Sequence, residues 1–228
     1  MAHTTGTLYI VATPIGNLED ITLRALRVLK EVDTILCEDT RHTKKLLSHY
    51  DIHTKTQRFH AHSDIDKMKH IASLLEEGKS LALVSDAGTP LVSDPGSPLL
   101  TYLRTYFDDI SIVPVVGASA LTAAISVVPI PSGRFTFIGF LPHKKGRHTA
   151  ILEMKEREDA TVLYESSHRI VKFLGELEAE FPQAQVWIAR EITKQFEEVL
   201  HGSPQELSRL LESHPEKQKG EFVVVVHH

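Results

Sequence analysis

Four consecutive apolar residues, Leu81–Val84 (LALV), stop abruptly at Ser85-Asp86-Ala87-Gly88-Thr89-Pro90. A run this short and apolar at every position fits a strand buried on both faces, the kind found in parallel sheets covered by helices on each side. Asp86 then stands at the strand's carboxyl end. In open α/β sheets ligands bind in the crevice outside those ends. Residues 81–96 supply what a polar ligand needs there, namely acceptor carboxylates and glycines that let backbone approach closely. The same residues also make good turns, with Ser97 as a helix cap and Pro98 as the first helical residue. Asp86 is expected to contact a ligand, and Asp94 only to shape the second turn.

The rest of the chain repeats this strand-then-helix rhythm. Strands are expected at 7–12, 34–37, 56–61, 81–84 and 110–116, with Pro114 best placed toward the end of the last one or on an edge. Between them, Ala25, Val28, Leu29 and Val32 recur at helical spacing, a short helix fits 43–50, and a longer one fits 63–77. Ser63 with Asp66 reads as a capping box for that helix, and Gly78 as its stop. Five strands alternating with helices imply a mostly parallel sheet. An alanine-rich helix over 118–128 leads into PIPSG at 129–133, the best candidate for a domain connection. A second α/β series follows, with strands at 135–140, 161–165, 186–189, 198–200 and 222–226. Its helices are expected at 149–157, 170–181 and 203–212. The expected division is 1–115 and 116–228.

Composition narrows the function classes. The 228 residues are 42% hydrophobic, enough for a substantial core. No run approaches the roughly 18 apolar residues of a membrane span, and the N-terminus lacks a basic-then-apolar signal, so a cytoplasmic protein without membrane association is expected. A single cysteine, Cys37, leaves no internal disulfide and no cysteine-based zinc cage. The net charge of −5 creates no global pull toward nucleic acid, which must be held by local patches if at all.

Several such patches exist. The loop ATPIGNLED after the first strand lacks G-x-G-x-x-G spacing, and no G-x-x-x-x-G-K-[ST] occurs, which disfavours a Rossmann oxidoreductase and a P-loop nucleotidase. Glu38-Asp39-Thr40-Arg41-His42, Glu165-Ser166-Ser167-His168-Arg169 and Arg190-Glu191-Ile192-Thr193-Lys194 each follow a strand directly and mix acid with base. His143-Lys144-Lys145-Gly146-Arg147-His148 is a compact basic patch suited to phosphates, or else a solvated loop. His60-x-His62 has a spacing that can bind metal, but no third ligand is evident and a polar or substrate-contacting role is favoured; no metal is expected. A Ser–His–Asp hydrolase built on Ser166 or Ser167 is an alternative that no G-x-S-x-G elbow supports.

Seven segments together resemble one family. They are TPIGNLEDIT (13–22), CEDTRHT (37–43), LVSDAGTPLVSDPG (83–96), GFLPHKKGR (139–147), YESSHRI (164–170), AREITK (189–194) and KGEFVVVV (219–226). In this order they are similar to the motifs of the ribosomal RNA small-subunit methyltransferase I family, of the tetrapyrrole-methylase-like (class III) S-adenosylmethionine methyltransferases. The resemblance implies two α/β domains with the cofactor in the cleft between them, a homodimer, and 2′-O-methylation of a cytidine in the decoding region of 16S rRNA in the small ribosomal subunit. Three positions depart from the usual pattern: Val116-Gly117-Ala118 replaces a Pro-Gly pair, Ser63 an Asn, and Ser167 a Pro. Many members also continue past the position of Val226; if that extension contributes to RNA recognition, a chain ending here is expected to bind cofactor yet methylate poorly.

By motif, the resemblance places cofactor contacts on Asp86, Gly88, Thr89, Ser119 and Ala120, and more loosely on Tyr164 and Ala189. Candidate catalytic residues are Glu38, Asp39, Arg41, Glu165, His168, Arg169, Arg190, Glu191 and Lys194, with no single base distinguished. Lys144, Lys145 and Arg147 are candidates for RNA phosphates. Two rival readings are a tetrapyrrole-type small-molecule methyltransferase and a non-catalytic RNA-binding module.

Overall fold

A computed structural model of the chain describes residues 5–60, 63–93, 97–131 and 133–228. Expectations for position 61, His62, Asp94, the Ser97 capping side chain and Ser132 lie outside the described residues. The chain forms two compact units that divide between Ser119 and Ala120.

In the first unit β1 (Thr7–Val11), α1 (Leu23–Glu31), β2 (Thr34–Cys37), α2 (Thr40–His49), β3 (Thr56–Arg58) and α3 (Ile65–Glu76) alternate. They are followed by β4 (Leu81–Val84), α4 (Ser97–Tyr106) and β5 (Ser111–Val115). The strand order is β3-β2-β4-β1-β5, every pairing parallel. β4 is flanked by β1 and β2, with Leu83 level with Ile10 on one side and Leu36 on the other. All four of its residues are buried, as a strand covered on both faces requires. One apolar cluster joins Ala82 and Val84 to Val28 and Leu29 of α1, and another joins Leu81 and Leu83 to Ile71, Leu75, Leu99 and Leu103 of α3 and α4. Because every strand runs the same way, the segments following β1, β2, β3, β4 and β5 all leave the same edge of the sheet.

The second unit begins with α5 (Ala120–Val127). Ala124 and Val128 pack against Val162, Ala189, Val223 and Val225, so the PIPSG turn lies inside this unit. β6 (Phe135–Phe140), α6 (Arg147–Lys155), β7 (Ala160–Ser166), α7 (Ile170–Glu180), β8 (Gln185–Arg190), β9 (Glu198–Gly202), α8 (Pro204–Ser213) and β10 (Glu221–His227) follow. The order is β6-β7-β10-β8-β9, with β6 and β7 parallel and β10 antiparallel to β7 and β8. The carboxyl ends of β6, β7 and β8 and the start of β10 therefore share one edge. The opposite sheet face packs against α6, α7 and α8 through Ile151, Phe173, Leu174, Leu177 and Leu207.

Several helix starts differ from the sequence pattern, and at three of them the cap gives the reason. α2 begins at Thr40, because the Asp39 side chain caps it. α6 begins at Arg147, because Gly146 adopts a left-handed N-cap (φ 85°) that a loop reading of KKGRH misses. α3 is capped by Asp64, which accepts the Lys67 N–H at 3.0 Å, whereas the Ser63 hydroxyl accepts the His60 N–H. Denaturant unfolding should therefore show a cost of about 0.5–2 kcal/mol for Asp64→Ala, and a smaller one for Ser63→Ala.

Candidate cofactor and catalytic site

At the shared edge of the first sheet, the loops after β1, β2, β4 and β5 are tied to one another by hydrogen bonds. Thr13 and Gly88 exchange two hydrogen bonds, N–H to carbonyl, of 2.9 and 3.0 Å, and the Thr13 hydroxyl donates to the Ser85 carbonyl at 3.3 Å. The Asp39 N–H donates to Asp86 Oδ1 at 3.3 Å, while Thr89 Oγ1 donates to the Ala118 carbonyl at 3.0 Å. Asp86, Gly88, Thr89 and Ala118-Ser119 thus form one constellation. Gly88 is required by its geometry: at φ 82°, an added Cβ would sit 3.1 Å from Ile15 Cγ2 and 3.7 Å from the Ala118 carbonyl oxygen. The second oxygen of Asp86 has no hydrogen-bond partner among the described residues, and the residue is half-buried. A free carboxylate oxygen beside a glycine turn can accept from an ammonium or hydroxyl, as an amino-acid-bearing nucleoside cofactor requires.

The CEDTRHT cluster divides its roles. Asp39 accepts the Arg41 backbone N–H at 2.8 Å and pairs with its guanidinium at 3.1 Å. Hydrogen bonds from the Arg41 side chain and backbone hold its carboxyl at about 2, which makes it a poor proton acceptor. The Arg41 side chain remains 89% exposed and available to an anion. Glu38 is half-buried and makes no hydrogen bond or ion pair among the described residues. Cys37 beneath them is buried, and that burial pushes its thiol up.

In the second unit the two remaining clusters are largely committed to structure. Glu165 is fully buried; its Oε1 accepts from Arg169 Nε at 2.7 Å and from the Ser166 N–H at 2.8 Å, and its Oε2 faces Arg147 Nη1 at 3.4 Å. Arg147 Nε also pairs with Glu176 at 2.7 Å, and Arg169 Nη1 donates to the Leu141 carbonyl at 3.1 Å. The expectation that Arg147 binds RNA phosphate is corrected here: its side chain is 5% exposed and joins α6 to β7 and α7. Glu165 and Arg169, both catalytic candidates, are engaged in the same network. Arg190 likewise donates to the carbonyls of Lys219, Phe196 and Glu216 and to Glu198. Lys194 Nζ bridges Glu191 and Glu221 at 2.8 and 2.7 Å. Burial alone would raise the Glu191 carboxyl, but bonds from Lys194 and the Glu221 N–H bring it below its ordinary value. Arg190, Glu191 and Lys194 are braces as well.

Ala189 is 1% exposed, packs its side chain with Val223 and Val225, and is paired in register on both sides with β10 and β9, so it offers no surface for direct cofactor contact. Tyr164 is half-buried against the edges of Phe137 and Phe140, and Ala120 is half-buried at the start of α5. Lys144, Lys145 and His168 are exposed. The Ser166 hydroxyl accepts from Arg169 Nε and the Ser167 hydroxyl donates to the Gly220 carbonyl, so neither is paired with a histidine as a hydrolase nucleophile would be. Among the described residues, no group of three or more His, Cys, Asp or Glu side chains has metal-binding geometry. No helix among them is long and apolar enough to cross a membrane.

Residues 7–208 match the model of the family described as Tetrapyrrole (Corrin/Porphyrin) Methylases. The chain belongs to this family. It is 45% identical, over 98% of its length and 82% of the relative's, to the ribosomal RNA small subunit methyltransferase I of Xylella fastidiosa. Among solved structures, the methyltransferase CobJ superposes with a TM-score of 0.70 over 98% of this chain and 95% of that one, at 19% identity. The uroporphyrin-III C-methyltransferase of Thermus thermophilus complexed with S-adenosyl homocysteine gives 0.64 over 96% and 97%, at 16% identity. At these identities the likeness is one of fold.

One positioning contact of this methylase has no sequence signal. Tyr50, which follows α2, donates its hydroxyl to the Leu18 carbonyl and so pins the 3₁₀ turn Leu18–Asp20 of the first loop. Only tertiary contact reveals it, since the partners are 32 residues apart.

Two predictions follow from these networks. Arg147→Met leaves the buried Glu165 Oε2 without a hydrogen-bond partner among the described residues while Arg169 still pairs with Oε1, and should lower unfolding free energy by about 1–3 kcal/mol in chemical denaturation. In an NMR titration, the Asp39 carboxyl should titrate near 2, and Arg41→Ala should return it toward the ordinary carboxylate range. Because the shift is downward, the contribution of the ionised cap to stability is present above that ordinary range and lost as pH falls through about 2.

Proposed function

We propose that the chain transfers methyl groups from S-adenosylmethionine to the ribose 2′-oxygen of a cytidine in the decoding region of 16S rRNA, acting as a cytoplasmic homodimer on the small ribosomal subunit. The observation that carries the reading is the 45% identity, over nearly the whole chain, to a ribosomal RNA small subunit methyltransferase I. Support for the cofactor comes from the first unit's strand-end constellation, in which Asp86 keeps one oxygen unused and Gly88 opens the turn. The proposed contacts on the first unit are Asp86, Gly88, Thr89 and Ser119.

S-adenosylmethionine supplies a methyl carbon already activated by its sulfonium. The residues of the chain then have to hold the acceptor oxygen in line, exclude water and receive a proton. Positioning of that kind accounts for about 7–11 kcal/mol of barrier lowering in well-oriented reactions. Of the nine catalytic candidates, Glu38 and His168 alone combine a proton-accepting group with no hydrogen bond or ion pair among the described residues. One of the two is the proton acceptor in this account. Arg41, Lys144 and Lys145 remain exposed and are the cations proposed to hold RNA phosphates.

Radiolabelled methyl transfer to small-subunit particles that lack their own modification tests the reading, with the labelled nucleotide mapped afterwards. Transfer to a cytidine ribose is expected; transfer to a porphyrinoid but not to particles would replace it with the small-molecule reading. In the same assay either Glu38→Gln or His168→Asn should lower kcat about 10²–10⁴-fold at near-constant cofactor affinity. If neither does, both residues are removed from that role.

A further inference from the structure

The chain turns directly from Arg190 at the end of β8 into a tight loop that ends where β9 starts. Two non-glycine residues there are left-handed, Glu191 (φ 50°) and the β-branched Thr193 (φ 68°). Such conformations persist only where surrounding contacts over-determine them, and they cluster at functional sites. The bracing here is dense. Lys194 ties Glu191 to Glu221, the Thr193 N–H donates to Glu197, and the Arg190 guanidinium spans three carbonyls from two segments. This scaffold holds open a cavity of about 500 Å³ between the loop and the segment leading into β10. The volume suits a single small ligand.

The lining specifies the ligand's chemistry. Phe196 is 64% exposed and forms part of the wall, a large aromatic face with no structural use for its exposure. Lys219 and Glu216 also line the cavity; both side chains are exposed and make no hydrogen bond or ion pair among the described residues. Glu198 is already neutralised by Arg190 and Lys217. A bare phosphate would meet the carboxylates of Glu197 and Glu216, and a bare amine would meet Lys219. A ligand with a flat ring, an amine edge and one anionic group satisfies all of these groups at once. A nucleotide whose base carries an exocyclic amine has that make-up: the ring stacks on Phe196, the phosphate reaches Lys219, and a carboxylate accepts from the amine.

We propose that this cavity receives one unpaired, amine-bearing nucleotide of the RNA substrate, stacked on Phe196. The inference rests on the ribosomal RNA reading above. It assigns the loop a part in selecting single-stranded RNA, the form in which bases are free to stack on aromatic side chains.

Fluorescence anisotropy of the full chain with labelled hexacytidylate and hexauridylate tests this, since the two bases differ at the edge the carboxylates would read. Hexacytidylate should bind the more tightly. Phe196→Leu, which keeps apolar bulk but loses the stacking face, should weaken hexacytidylate about 5- to 100-fold. Phe196→Trp should restore it, and Lys219→Ala should reduce the salt slope by about one. Calorimetry with S-adenosylmethionine on each variant serves as the folding control and should be unchanged. Equal binding of the two oligomers together with an unaffected Phe196→Leu would overturn the inference while leaving the rRNA reading in place. Absence of any binding by the unmodified chain, to oligomers and to small-subunit particles alike, would overturn both.

Discussion

Parallel pairing of β4 with β1 and β2 is the constraint on which the first unit depends. It buries four apolar residues between two helical layers, and it also fixes direction. With all five strands parallel, every connecting loop of the motif-bearing kind must emerge at the same edge, so residues far apart in sequence meet without any of them having to be strongly attracted to the others. Thr13 meets Gly88, Asp39 meets Asp86 and Thr89 meets Ala118 for this reason. The hydrogen bonds among these loops are few, but they are set by backbone geometry. That makes them suitable for holding a cofactor in one place.

The second unit solves a different problem. Its sheet is mixed, and its buried charged residues, Arg147, Glu165 and Arg190, stand in networks that join helices or loops to strand ends. Glu165 collects Arg147 from α6 and Arg169 from the start of α7, and Arg190 collects two carbonyls before β10 and that of Phe196 before β9. Breaking such buried pairs is costly, whereas forming them adds little net stability over an apolar core. Their value lies in fixing geometry, and in this chain they fix the loops that flank the cavity beside Phe196 and the exposed His168 and Lys144-Lys145 segments.

Much of the fold was legible because its signals are local. LALV, TLYIVA and the Ala25/Val28/Leu29 spacing state their own structure, and the parallel first sheet follows from alternation. The motif segments also disclosed which strand ends carry charge. What remained hidden was the fate of each charge. Arg147 reads as part of a basic loop until the left-handed Gly146 starts α6 two residues earlier, at Arg147, and turns the guanidinium inward toward Glu165 and Glu176. Glu165, Arg169, Arg190, Glu191 and Lys194 resemble catalytic candidates in sequence because an acid beside a base looks the same whether it is poised for chemistry or paired for structure. Only partners from distant segments, such as Lys219 for Arg190, distinguish the two. By the same logic Glu38 stands out for the partners it lacks, a property no sequence pattern expresses.

The account stands or falls on the loop after Val84. Titration calorimetry of S-adenosylmethionine into the unmodified chain and into Asp86→Ala, with thermal unfolding as a check that both are folded, tests it most directly. The account predicts a single site in the unmodified chain and at least about tenfold weaker binding in the variant, as expected for loss of one charge-assisted hydrogen bond. Equal affinity in two well-folded proteins, or no binding to either, would contradict it.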